Sequence, residues 1–259
     1  MNWLYVIASE AKQSDAKRRR EPRRVVAISD FRHKSRRIRR AFWRSFVAVL
    51  PAMTRQAKFM ADRYVVFDVE TQKGFNEVDR KKLYLLKISV ACLYDSVRDE
   101  YLSFEEKELG KMEEILKQAD LVIGFNIKDF DMEVLAPYLI SPANSFPILD
   151  LMAEFEKVRG HRISLQSMAQ ATLGRSKSGS GWDAIKLFQE GRMEELKNYC
   201  IDDVKLTREI YEYGLAHKKI YFISNRDYQK HEVPIDWSDA AGRLRGKSEA
   251  EKAFPTSLF

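Results

Sequence analysis

Two hydrophobic patterns divide most of the chain after residue 62. Short apolar runs rich in β-branched residues predict buried strands at Tyr64–Val69, Leu83–Tyr94, Glu100–Phe104, Leu121–Phe125 and Ile148–Leu151. Apolar residues spaced three and four apart predict helices at Glu105–Ala119, from Asp131 to near Pro142, and at Leu151–Val158, Ser164–Leu173, Trp182–Glu190 and Met193–His217. A final hairpin is expected from Ile220–Ile223 and His231–Ile235. Strands first, then alternating strands and helices, predict an α/β sheet of mixed direction with helices on its faces.

The same patterns predict three parts: a basic arm at 1–61, a domain at 62–237 and a solvated tail at 238–259. Residues 1–62 contain 16 Lys and Arg against 5 Asp and Glu, a net charge of +11, and residues 63–259 contain 29 against 33, a net −4. The overall net charge of +7 therefore comes from the N-terminal quarter. Any nucleic-acid contacts of the domain must be local or mediated by metal ions.

Three interpretations of the basic arm stay open. Its arginine runs are typical of a nucleic-acid-binding arm or of an organelle transit peptide. The segments VIASEAKQS and LPAMT also resemble conceptual translations of dispersed bacterial repeat DNA, and we favour this interpretation. Met60, in MADRYVVFDVET, is then the expected start of translation, and native peptides from upstream of it would contradict the hypothesis.

Composition excludes several other classes of protein. The sequence contains no uninterrupted apolar run of the roughly 18–20 residues that a membrane helix needs. Two cysteines, Cys92 and Cys200, give neither a disulfide framework nor the spacing of a zinc site, and both stand in apolar surroundings. We therefore expect a cytoplasmic protein that does not contact a membrane.

Acidic residues stand at selected positions of three predicted elements: the end of the first strand, the start of a helix and the interior of the long helix. Asp68 and Glu70 are separated by one residue, so they share one face of a strand, and two buried like charges are unfavourable without a cation. Asp131 begins a helix after a buried strand, where a carboxylate caps the helix or faces a metal-bound water. Tyr199 and Asp203 are one helical turn apart. Taken singly, these groups are also typical of a solvated strand end, a helix cap and a surface pair.

Taken in this order, D-x-E, N-x-x-x-F-D and Y-x-x-x-D resemble the DEDD exonucleases of the ribonuclease-H-like superfamily, which includes polymerase proofreading domains. The resemblance covers about Tyr64–His217 and extends to predicted bacterial ribonuclease-H-like exonuclease domains, some of them linked to helicases. It implies a ribonuclease-H-like mixed sheet flanked by helices with a C-terminal hairpin. Asn198 stands where the family's other branch has a histidine, so the tyrosine branch is implied, and Asp129 and Asp202 are out of register.

The resemblance also implies roles for the matching residues. Asp68 would bridge two Mg²⁺ or Mn²⁺ ions, Glu70 and Asp203 would complete the site of the water-activating ion, and Asp131 would hold the second ion, largely through water. Tyr199 would orient the attacking water, since an unperturbed phenol, with a pKa near 10, is a poor base at neutral pH. The implied reaction is 3′→5′ hydrolysis of DNA or RNA to nucleoside 5′-monophosphates.

Substrate contacts are expected on two segments. Thr71, Phe125 and Asn126 would lie beside the 3′-terminal nucleotide, although Phe125 also suits the core. Arg175 and Lys177 in the loop RSKSGSG would contact phosphates, although such a loop is equally typical of a linker.

The expected partner is a nucleic-acid 3′ end, with a helicase or polymerase acting in trans. Three alternative functions stay open: an endonuclease or resolvase on the same fold, a binding module without catalysis, and an RNA-binding protein defined by the basic arm.

Overall fold

The computed structural model describes residues 63–176, 179, 181–224 and 226–244. The basic arm and Lys177 lie outside the described residues. The strands are β1 (Tyr64–Thr71), β2 (Ile88–Asp95), β3 (Glu100–Glu105), β4 (Leu121–Gly124), β5 (Ile148–Asp150), β6 (Lys219–Ile223) and β7 (Lys230–Pro234). The α-helices are α1 (Leu109–Lys117), α2 (Asp131–Leu135), α3 (Leu151–Arg159), α4 (Leu165–Leu173), α5 (Gly181–Gln189) and α6 (Met193–His217).

The central sheet has the strand order β3-β2-β1-β4-β5. Strands β1, β2 and β3 are antiparallel neighbours, whereas β1 pairs with β4, and β4 with β5, in parallel. Strands β6 and β7 form a separate antiparallel pair. This mixed sheet with helices on its faces confirms the predicted α/β class and the ribonuclease-H-like arrangement.

Strand β1 divides its side chains between two hydrophobic cores. Tyr64 and Val66 pack in one core with residues of α6, and Val65 and Phe67 pack in the other with residues of α1 and α2. Because successive side chains of a strand point to opposite faces, the even-numbered positions of β1 lie on the α6 side of the sheet.

Helix α6 presents one buried stripe to the sheet. Its buried residues recur every three or four positions and are Leu196, Tyr199, Cys200, Asp203, Val204, Leu206, Thr207, Ile210, Tyr211 and Gly214. Each fully buried aliphatic side chain contributes about 1.5–3 kcal/mol of transfer free energy. The stripe therefore anchors the helix firmly and fixes the polar residues that it contains.

Several predicted elements are shorter than the sequence pattern indicated, and two of the differences have a clear local cause. The strand predicted at Leu83–Tyr94 begins only at Ile88, because Leu83–Leu86 forms a 3-10 helix and Lys87 adopts a φ of 55°. Helix α2 ends at Leu135 and does not reach Pro142. Pro137 lacks the N–H that a continuing helix would use, and the chain passes into a 3-10 turn there.

Packing continues past residue 237 on the C-terminal side. Trp237 and Ala240 are each only 2% exposed, and Leu244 packs against the same core. Gly214 of α6 permits this packing, since a Cβ added there would lie 2.4 Å from Cζ3 of Trp237 and 2.6 Å from Cδ1 of Ile235. Within the part of the chain that the structure describes, no helix combines the length and the apolar character that crossing a bilayer requires.

Replacing Gly214 by alanine should lower the free energy of unfolding by on the order of 1–3 kcal/mol, because the new methyl group overpacks against the Trp237 ring. Gly110→Ala in α1 is the matched control: nothing lies within 4 Å of its added Cβ, so it should stabilise the helix by up to about 1 kcal/mol. Urea denaturation of both variants measures the difference. Equal effects of the two substitutions would contradict the close approach at Gly214.

Candidate active site

Three carboxylates meet between β1 and α6. Oxygen atoms of Asp68, Glu70 and Asp203 all lie within 4.8 Å of one another, an arrangement that could hold a metal ion. The alternation of β1 puts the first two on the face covered by α6, and the buried stripe of α6 delivers the third. Asp203 is 1% exposed and Glu70 is 8% exposed.

Asp131 lies against the backbone between the two acidic residues of β1. Its side chain is buried, and its Oδ1 accepts a hydrogen bond of 3.0 Å from the N–H of Val69. The interpretation of Asp131 as a helix cap is wrong, because Phe130 occupies the cap position and Asp131 is the first residue of α2. The carboxylate accepts hydrogen bonds from the N–H of Val69 in β1 and from its own backbone N–H.

Burial makes charge costly at this position. Loss of solvent, together with the nearby charges of Asp150 and Asp203, raises the pKa of Asp131 to about 7, and hydrogen bonds from the backbone N–H groups of Val69 and of Asp131 itself oppose this rise. At the effective dielectric of about 20 suited to protein sites, two carboxylates about 5 Å apart repel by roughly 3 kcal/mol. A divalent cation among the four acidic groups would relieve this repulsion.

The donor chemistry fits a hard divalent cation such as Mg²⁺ or Mn²⁺. The converging groups are carboxylates, the ligands that such ions prefer. The nearest soft atom is Sγ of Cys200, 3.9 Å from Oδ2 of Asp68. Burial raises the pKa of the Cys200 thiol well above its usual range, so the sulfur stays protonated and is a poor metal ligand.

Asp150 organises the loop that leads to Asp131, and sequence reasoning missed it. Its carboxylate accepts hydrogen bonds from the N–H groups of Asn126 at 2.9 Å and Lys128 at 3.1 Å. The same carboxylate caps α3 through the N–H groups of Met152 and Ala153. These bonds hold Asn126 at a φ of 66°. The available signal was an acid at the end of an apolar segment, as in β1.

A cleft with a volume of about 320 Å³ opens beside the carboxylates. Its lining comprises Asp68, Val69, Glu70, Thr71, Lys73, Gly74, Phe75, Leu86, Phe130, Gly181, Trp182, Ile185 and Asp203. Trp182 is 62% exposed and Phe75 is 48% exposed, and the ring of Phe130 lies 5.4 Å from that of Phe75. Gly74 lets the indole approach, since a Cβ there would lie 2.9 Å from Trp182. The sequence offered no pattern that joined these distant aromatic residues.

Tyr199 lies on the same stripe of α6 as Asp203, one turn earlier, and is 7% exposed. The backbone of Gly179, in the loop before α5, lies close to this ring, because an added Cβ would be 3.1 Å from Cε2 of Tyr199. Gly179 therefore lies beside the residue that stands one helical turn before Asp203.

The expected substrate-contact residues divide into two groups. Thr71 lines the cleft, and its hydroxyl donates a 2.8 Å hydrogen bond to the carbonyl of Lys73. Phe125, Asn126 and Arg175 are not among the described residues that line it. Phe125 packs against the α6-side core, and the guanidinium of Arg175 pairs with Glu209 of α6.

Comparisons with known proteins find a matching family model and similar solved structures. A family model described as "3'-5' exonuclease" matches residues 47–213. A family B DNA polymerase from the hyperthermophilic archaeon Pyrobaculum calidifontis is similar in structure with a TM-score of 0.48 and 15% sequence identity. The likeness covers 73% of this chain and 29% of the polymerase, so the chain spans less than a third of that protein. A comparison with curated proteins gives no match.

In metal-free buffer, Asp131→Asn should raise the free energy of unfolding at pH 8 by on the order of 2 kcal/mol. Asparagine keeps an oxygen for the N–H of Val69 but removes a buried charge. Between about pH 4, where the unfolded carboxyl ionises, and pH 7, the folded protein retains a proton that the unfolded chain releases. Wild-type stability should therefore fall as pH rises through this window.

Urea denaturation in EDTA at pH 5 and pH 8 measures the effect. The gain from Asp131→Asn should be larger at pH 8 than at pH 5, and Asp129→Asn, at an exposed neighbouring carboxylate paired with Arg162, should show no such difference. An equal gain at both pH values would contradict the raised pKa.

Proposed function

The chain belongs to the 3′-5′ exonuclease family, and from this membership we propose that it is a metal-dependent 3′→5′ exonuclease. It would release nucleoside 5′-monophosphates from DNA or RNA. The observation that carries the proposal is the convergence of the Asp68, Glu70 and Asp203 oxygens within 4.8 Å of one another beside an open cleft. A family match alone would fit a protein that had lost its acidic site.

The chain's own residues have distinct parts in the proposed reaction. Asp68, Glu70 and Asp203 would hold one divalent ion, and Asp68 and Asp131 would hold a second, Asp131 largely through water. Bound ions of this kind lower the pKa of water and neutralise charge on the phosphate and the leaving oxygen. The Tyr199 hydroxyl, one turn from Asp203, orients the attacking water by a hydrogen bond. We assign this hydroxyl a positioning role, because an unperturbed phenol is a poor base at neutral pH.

The cleft supports a nucleotide as the occupant. Phe75 and Trp182 present exposed rings on which a terminal base would stack, and stacking of this kind tolerates every base. Lys73 supplies a positive charge at the same lining, and Thr71 lies next to Glu70. A volume of about 320 Å³ suits one unpaired nucleotide better than a duplex end. We therefore propose a single-stranded 3′ terminus as the substrate.

Asp203→Asn should reduce digestion of 3′- and 5′-labelled DNA and RNA oligonucleotides with Mn²⁺ by on the order of 10³-fold, because one carboxylate of the site is lost. Asp68→Ala should act in the same way, and EDTA should stop digestion by the wild type. Asp202→Asn is the matched control, since its carboxylate is the next one along the helix but pairs with Lys205 at 3.0 Å outside the site.

Circular substrates should stay intact, whereas an endonuclease would open them. The proposal fails if the wild type leaves every linear substrate uncut, or if Asp203→Asn is as active as Asp202→Asn.

Trp182→Ala should raise the KM for a single-stranded oligonucleotide roughly 10-fold or more, because a stacked base contributes about 1–3 kcal/mol. Trp182→Phe keeps an aromatic face and should recover most of the loss. Hydrolysis of bis(p-nitrophenyl) phosphate, which has no base, should be unchanged in both variants. A loss of activity toward this small ester in Trp182→Ala would indicate damage to the carboxylate site and would contradict stacking as the role of the indole.

A further inference from the structure

The connection between β1 and β2, residues 72–87, differs in charge from the rest of the domain. It contains five basic residues against two acidic ones, a net +3, although residues 63–259 as a whole are net −4. All five basic side chains are exposed: Lys73, Arg80, Lys81, Lys82 and Lys87. We name these five residues the basic strip.

In the described part of the chain, no carboxylate pairs with the side chains of the basic strip. Among the described residues, none of the five takes part in an ion pair, whereas lysines of α6 such as Lys197 and Lys205 are paired with carboxylates. The two acidic residues of the connection are engaged by backbone groups. Glu77 accepts the N–H of Gly74 at 2.8 Å, and Asp79 accepts the N–H of Lys81 at 3.0 Å. The strip therefore presents uncompensated positive charge to solvent.

The connection is held in one conformation by its own hydrogen bonds. The N–H of Gln72 bonds to the carbonyl of Lys87 at 3.0 Å and closes its base, and Lys82 bonds to the carbonyl of Asp79 at 2.8 Å. Leu86 is 1% exposed and anchors the segment in the core. A surface ordered in advance loses less conformational entropy when a ligand binds.

The strip leads directly out of the proposed active site. Lys73 and Phe75 line the cleft, and the guanidinium of Arg80 lies 6.0 Å from the centre of the Phe75 ring. Farther along the chain, Tyr84 lies in sequence between Lys82 and Lys87 and is 47% exposed. Basic residues interleaved with an exposed aromatic ring favour a single-stranded nucleic acid over other anionic ligands.

We propose that the basic strip binds the phosphate backbone of the strand whose 3′ end occupies the cleft. This inference rests on the proposed function, since it extends the substrate path beyond the terminal nucleotide. DNA and RNA share the phosphodiester chemistry that the strip would contact. Such contacts bind all sequences alike and weaken with salt, because each neutralised phosphate releases a counterion.

The test compares two triple variants of the full chain. One removes three strip charges outside the cleft: Lys81→Gln, Lys82→Gln and Lys87→Gln. The matched control removes three exposed charges near the β6–β7 hairpin: Lys218→Gln, Arg226→Gln and Lys230→Gln. The two triple variants remove the same charge, and each replaces one lysine with a positive φ, namely Lys87 at 55° and Lys218 at 54°. The basic arm is the same in both proteins.

The probe is a fluorescein-labelled oligo(dT) in EDTA, followed by anisotropy over a series of KCl concentrations. For the strip variant, the slope of log K against log[KCl] should become shallower by about 2, since each lost contact to a single strand removes about 0.7. Binding at the lowest salt should fall at least about 10-fold, and the control should change less than about 2-fold. An unchanged slope in the strip variant, or an equal change in the control, would overturn the proposal and leave the strip to another acidic partner.

A second measurement separates this inference from the proposed function. With Mn²⁺, the strip variant should hydrolyse bis(p-nitrophenyl) phosphate at the wild-type rate while its KM for the oligonucleotide rises. If no protein hydrolyses any substrate but the salt slopes differ as expected, the strip binds nucleic acid and the exonuclease proposal is wrong. If hydrolysis occurs and the salt slopes agree, the exonuclease proposal stands and the strip proposal is wrong.

Discussion

Repulsion among buried carboxylates is the constraint on which the rest of the site depends. Asp68, Glu70 and Asp203 approach within 4.8 Å in a region where Asp203 is only 1% exposed. Like charges so placed destabilise the fold by several kcal/mol unless a cation or a proton compensates them. The apolar packing of α6 on the sheet supplies the free energy that holds them together. Stability and chemistry are therefore coupled here, and a protein selected for stability alone would not retain this arrangement.

Asp131 differs from the other three acids in how its position is fixed. Its carboxylate is tied to the N–H of Val69, so its geometry depends on β1 and not on the short helix that carries it. Asp150 adds a second constraint, because its carboxylate accepts two backbone N–H groups of the β4–α2 loop and two from the first turn of α3. The loop that bears Asp131 is thus positioned by backbone hydrogen bonds at each end, which limits how far the fourth carboxylate moves when charge enters the site.

Local patterns in the sequence predicted strands and helices well where the apolar residues followed a single periodicity. The alternation of β1 predicted that Asp68 and Glu70 share one face, and the helical spacing predicted that Tyr199 and Asp203 share another. That these faces meet at one site was implied by the resemblance to the DEDD exonucleases and not by either pattern alone. The pattern failed where a single residue overrode it, as at Lys87 with its positive φ and at Pro137 within the helix predicted from Asp131. Tertiary contacts between distant segments carry no local signal. The approach of Trp182 to Gly74 and the bond from Val69 to Asp131 therefore required the folded chain.

The distribution of charge favours one direction of approach for a nucleic-acid strand. Residues 63–259, taken without the basic arm, carry a net −4, and this part of the chain by itself repels a polyanion at long range. Attraction must then come from a short distance, at most about one Debye length of roughly 8 Å in physiological salt. The basic strip begins at the edge of the cleft with Lys73, and it belongs to the connection that directly follows β1, the strand that carries Asp68. Positive charge beside a negative site favours a strand that lies along the basic strip and enters the cleft by its end.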